Sequence, residues 1–196
     1  MGGRGSSSGF AKQNSGIKYE MNFKKEEINK RVKEQIQGLA DEYENFLTSV
    51  YKGTDKQGDK GQTSIDGRIG LASPTPAVVY HEFAHVIAST LRDYAGLSNN
   101  KEFWSEIKKI RTQYRKALAK DRQNSISTYA DINGRSSIDE FFAEGFALGK
   151  MRSSGRNIDW NSGFSSNPKA GEWADKIVGV TDKYFRKRKK KFDEVL

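Results

Sequence analysis

The only two histidines of this 196-residue chain, His81 and His85, stand four positions apart with Glu82 directly after the first, in the run VVYHEFAHVIAS at residues 78–89. On a helix that spacing puts both imidazoles on one face, with their Cβ atoms about 5 to 6 Å apart. One ion can take both as ligands. Glu82, roughly 100° around the helix from His81, can then touch a water on that ion without ligating it. The chain has no cysteine, so a metal here is held through nitrogen and oxygen. The spacing demands a helix at this point and a further ligand from elsewhere in the chain.

A hydrolytic zinc ion takes three protein ligands and keeps an open position. With no third histidine, the remaining ligand must be Asp or Glu. The run IDEFFAEGFA, residues 138–147, sets Glu140 and Glu144 at i, i+4 among Phe141, Phe142, Ala143, Phe146 and Ala147. Two carboxylates on a helix that must bury much of its surface need partners, and a cation serves. The ordinary alternative is a pair of structural glutamates bonded to arginines or to helix N-termini. A ligating histidine also wants an acceptor on its second ring nitrogen. These requirements assign Glu140 to the metal and Glu144 to a contact with His81, with the exchange of the two as the alternative.

HEFAH followed by EFFAE resembles the gluzincin peptidases of the anthrax-lethal-factor-like group, which pair an HEFxH helix with a later helix reading roughly EFFAEAF. The resemblance covers residues 62–150. It implies a zincin-like fold, zinc as cofactor, a peptide or protein substrate, Glu82 as general base and Glu140 as the third ligand. It also implies a tyrosine that stabilises the oxyanion, in a segment like SxYA; STYA supplies Tyr129 here. The connection from Tyr129 to Glu140 is longer than the family pattern, which keeps Tyr94 and Tyr114 as lesser candidates.

The rest of the chain organises around these motifs. Residues 1–16 are rich in Gly and Ser without periodicity and read as a flexible leader, resembling the starts of proteins from phages and other mobile elements of Gram-positive bacteria. Between residues 23 and 51, Ile28, Val32, Ile36, Leu39, Ala40, Tyr43, Phe46, Leu47 and Val50 recur at three- and four-residue intervals, which predicts one long amphipathic helix. A glycine-punctuated loop follows at 52–64, then a tight turn at Asp66-Gly67 and a short strand RIGLA. That strand, through Gly70, Leu71 and Ala72, is the expected edge on which a substrate adds as an extra strand. Pro76, with Thr75 as N-cap, opens the histidine helix and Gly96 closes it. Further helices are expected over residues 101–120, over 138–150 with Ser136 or Ser137 as cap, and over 169–192. The fold class is α+β, mostly helical, with a small sheet packed on the HExxH helix. The single domain spans residues 17–185.

The net charge is +9, and residues 186–191 are all basic. This basic C-terminal tail, 186–196, reads as a solvated helix end, with an acidic partner or nucleic acid as the minor alternative. No run approaches the about 20 apolar residues of a membrane span, and residues 1–16 lack the apolar core of a signal peptide. A cytoplasmic or virion-associated protein is expected. The rival to a zinc endopeptidase is a non-catalytic phage or mobile-element structural protein whose zinc only braces the fold.

Overall fold

The computed structural model describes residues 20–23, 28–43, 47–54, 59–64, 66–93, 98–132, 137–155 and 163–193, with backbone alone at 90–93, 98–100 and 185–193. The leader, Tyr94, Gly96, Ser136 and the side chains of the basic tail lie outside the described residues. In chain order the elements are β1 (Glu20–Asn22), α1 (Lys30–Glu42), β2 (Ser49–Lys52), β3 (Gly61–Thr63), β4 (Arg68–Leu71), α2 (Pro76–Asp93), α3 (Ser98–Lys120), a 3-10 turn (Arg122–Asn124), α4 (Thr128–Ile132), α5 (Ile138–Ser153) and α6 (Pro168–Asp193). The architecture is α+β, mostly helical with one small sheet.

The long helix expected over residues 23–51 is shorter. Asn29 caps α1, its side chain accepting from the Val32 amide at 2.9 Å, and the helix ends at Glu42. Val50 lies in β2, paired with Met21 and Ile69. Ile28, Val32, Ile36, Leu39, Ala40 and Tyr43 before the break and Leu47 and Val50 after it are buried, while Phe46 lies outside the described residues, so at the described positions the periodicity reported burial truly and conformation falsely. In Thr48-Ser49-Val50-Tyr51, β-branched and aromatic residues favour the pleated partner they find in β4.

The sheet order is β1-β2-β4-β3. Strands β1, β2 and β4 run parallel, α1 making the crossover from β1 to β2, and β3 runs antiparallel to β4. Asp66 and Gly67 form the expected turn, closed by the Gly67 amide on the Ser64 carbonyl at 3.0 Å. This order corrects the expected substrate edge. Gly70 and Leu71 belong to an interior strand bonded on both sides, and Ala72 donates to the Lys60 carbonyl at 3.0 Å. Among the described residues the free edge beside α2 belongs to β3, because the strand that follows the polar loop folds back outside the one that leads into the histidine helix.

Thr75 caps α2, Val79 donating to its carbonyl at 3.0 Å, and Pro76 stands at the first helical position, where its missing amide costs nothing. Helix α2 lies against the sheet through β3 and β4 and against α5 on its other side. Every residue of α5 from Phe141 to Met151 is buried, since α2 covers one face and α6 the other. The approach of α5 to α6 needs glycine: a Cβ on Gly149 would stand 2.5 Å from Val178 Cγ2. Edge-to-face aromatic contacts of Phe103 with Phe142 and Tyr184 extend the core to α3. A buried Lys150 joins Glu42 at 2.7 Å, which ties α5 to the end of α1. No helix among the described residues is long and apolar enough to cross a membrane.

Candidate metal centre

Two helix pairs of residues, each one turn apart, face each other where α2 meets α5. His81 and His85 project from α2, Glu140 and Glu144 from α5. Ser137 caps α5, Glu140 donating its amide to the Ser137 hydroxyl at 3.4 Å, and so fixes where the first carboxylate stands. The Nε2 atoms of His81 and His85 are 3.1 Å apart. Glu140 Oε2 lies 3.6 Å from His81 Nε2 and 3.5 Å from His85 Nε2. His81, His85 and Glu140 form a group that could hold a metal ion.

The dimensions suit a small divalent ion. Bonds of about 2.0 to 2.1 Å in a tetrahedral set give ligand separations of about 3.3 to 3.4 Å. The three observed separations, 3.1, 3.5 and 3.6 Å, average to that value. Glu140 Oε2 is buried and has no hydrogen-bond partner, an orphaned acceptor between two imidazole nitrogens. Among the described residues the partners of Glu140 and Glu144 are histidines and Ser127, with no arginine among them. Two imidazole nitrogens and one carboxylate oxygen, with no sulfur, suit a first-row transition metal, zinc and iron among them.

Glu144 occupies the place expected of an orienting group. His81 Nδ1 donates to Glu144 Oε1 at 2.8 Å, which leaves Nε2 of the neutral ring unprotonated and aimed at the group. The other Glu144 oxygen accepts from the Ser127 hydroxyl, and Ser127 also takes the Ala130 amide at 2.9 Å. Ser127 thus links the histidine to the start of α4. Burial works against the His81 imidazolium, but the bond to Glu144 and the charges of Glu144, Glu82 and Glu140 outweigh it, and the His81 pKa lies above 6.5. The His85 imidazole, against burial and aided by His81, holds the Glu140 carboxyl below the usual carboxylate value.

Glu82 contributes no atom to the group. It is buried and packs on β3, where the Thr63 hydroxyl donates to Glu82 Oε2 at 2.8 Å. A Cβ on Gly61 would lie 2.7 Å from Glu82 Cγ and 2.8 Å from Oε1, so only glycine leaves room for this carboxylate. Tyr129, on α4, stands with its ring centroid 6.0 Å from that of His81 and is 47% exposed. Tyr114 is elsewhere: its ring is buried against Phe141 and Trp173, and its hydroxyl donates to Asp131. The structure therefore brings together His81, His85, Glu140, Glu144 and Tyr129, sets Glu82 beside them, and leaves Gly70 and Leu71 in the interior strand β4, with Ala72 exposed just past its end. Sequence reasoning missed Gly61, Thr63 and Ser127. Only Ser127 carried a local signal, a serine three residues before an amide it could cap.

No protein-family model matches the chain, and neither a curated protein nor a solved structure matches it.

Proposed function

We propose that the chain is a zinc-dependent endopeptidase of the gluzincin type with a zincin-like fold. The observation that carries this reading is the convergence of two imidazole Nε2 atoms and the orphaned Glu140 oxygen, at zinc-like separations, beside a buried carboxylate that is not part of the set. His81, His85 and Glu140 would hold the ion. Bound zinc would polarise the scissile carbonyl and lower the pKa of a water toward neutrality.

The chain's own residues supply the rest. Thr63 holds Glu82 Oε2, which leaves Oε1 to take the proton of the attacking water and return it to the leaving amine. Glu144 keeps the proton of His81 on Nδ1. The Tyr129 hydroxyl, on an exposed side chain, donates to the developing oxyanion. An extended peptide adds to the free edge of β3, the strand that pairs antiparallel with β4 and lies next to Glu82, aligned by main-chain bonds. A zinc that only braced the fold would call for four protein ligands, and among the described residues the group has three. Glu82→Gln should keep zinc and a wild-type helical spectrum yet lose several orders of magnitude in turnover on any peptide the wild type cleaves from a mixed library. Equal cleavage by the two proteins would remove Glu82 from the chemistry, and no cleavage by zinc-loaded wild type would favour the bracing role.

A further inference from the structure

Ser127 and Glu144 are both buried, and the Ser127 hydroxyl carries two bonds that lead in different directions. It donates to Glu144 Oε2 and accepts from the Ala130 amide at 2.9 Å. An amide can only donate, so the hydroxyl turns its single proton to the carboxylate. On the other side of Glu144, Oε1 takes the Nδ1 proton of His81. The terminal torsion of a glutamate is soft, and one bond does not fix the plane of its carboxylate. The second bond, to Ser127, does. Ser127 is itself held through its backbone, in an antiparallel bridge to Phe164 flanked by the Ser165 amide on the Ile126 carbonyl at 2.9 Å.

The acceptor side of the same hydroxyl caps α4, a helix of five residues. So short a helix has little stability of its own and depends on its cap. It carries Tyr129, whose ring meets that of His81 edge-on with centroids 6.0 Å apart. We propose that Ser127 is a positioning residue that couples the His81 ligand to the helix of Tyr129: one hydroxyl fixes the carboxylate that orients His81 and holds the turn that presents the tyrosine. The coupling rests on the reading of His81 as a zinc ligand.

Calorimetric zinc titration and amide exchange followed by NMR, both on the full chain, test it. Ser127→Ala should weaken zinc binding at least about fivefold, and in a Glu144→Gln background should cost less than about twofold more, because its effect runs through that carboxylate. In metal-free protein the same variant should speed exchange of the Ala130 amide at least about fivefold, as the loss of a cap requires. Ser125→Ala is the control: its hydroxyl holds α4 through Asp131 at 2.9 Å and not through Glu144, so zinc affinity should stay within about twofold. Early melting of Ser127→Ala does not blur the result, since a general loss of fold would add to the Glu144→Gln loss instead of vanishing in it. With zinc bound by the wild type, additive losses, unchanged zinc affinity in Ser127→Ala, an equal loss in Ser125→Ala, or unchanged exchange of the Ala130 amide would overturn the coupling alone. A wild type that binds no zinc would overturn the zinc reading and the coupling with it.

Discussion

Glu140 and Glu144 sit one turn apart on the same helix, yet the structure gives them different tasks, and that difference can be measured. Glu140 presents an oxygen to both Nε2 atoms, while Glu144 reaches only the far nitrogen of His81. Glu140→Gln should therefore abolish stoichiometric zinc binding, whereas Glu144→Gln should weaken it by about 10- to 100-fold through lost orientation of His81. A zinc titration that ranked them the other way would exchange their roles. The same residues set a pH dependence. Zinc needs neutral His81, and the raised pKa means that a proton competes from above pH 6.5 downward. In the metal-free protein the sign is opposite: a raised folded pKa stabilises fully below the unfolded value and this contribution is lost as pH rises through the folded one. The melting temperature of zinc-loaded protein should thus pull away from that of metal-free protein as pH rises from about 6 to 8. A gap that stayed constant would mean that His81 carries no such proton.

At the scale of elements, β3 controls the site more than its three residues announce. Glu82 is wedged over Gly61 and held by Thr63, so the position of the proposed general base depends on a strand that contributes no charged group. Gly61→Ala would push a methyl into Glu82 Cγ and Oε1. Turnover should fall at least about tenfold, given how steeply rate depends on sub-ångström placement, with zinc affinity unchanged. Lost zinc would instead show that β3 supports the whole group. The sequence could not show this, because strand order is decided by non-local pairing. RIGLA read as an edge by its pattern, and in the fold it is flanked on both sides. By contrast the helix-borne residues were legible. Once residues 76–93 and 138–153 are helical, spacing alone fixes which side chains share a face. The over-long first helix failed for a related reason. Leu47 and Val50 are buried as their period demanded, but burial from a strand satisfies the same apolar pattern.

For the whole molecule, α5 is the central support. It is covered by α2 on one face and α6 on the other, and at its first turn it delivers Glu140 opposite the histidines. Lys150 at its far end is bonded to Glu42, so the helix is fixed at both ends before any ion arrives. Such a preorganised group should bind zinc without a large change in fold. The most direct test is zinc stoichiometry combined with X-ray absorption at the zinc edge for the wild type and for His81→Ala with His85→Ala. The account predicts about one zinc per wild-type chain, with a nitrogen and oxygen shell at about 2.0 to 2.1 Å that includes two imidazoles, and no stoichiometric zinc in the double variant. Full zinc occupancy in the double variant, or a wild-type shell without imidazole, would contradict it.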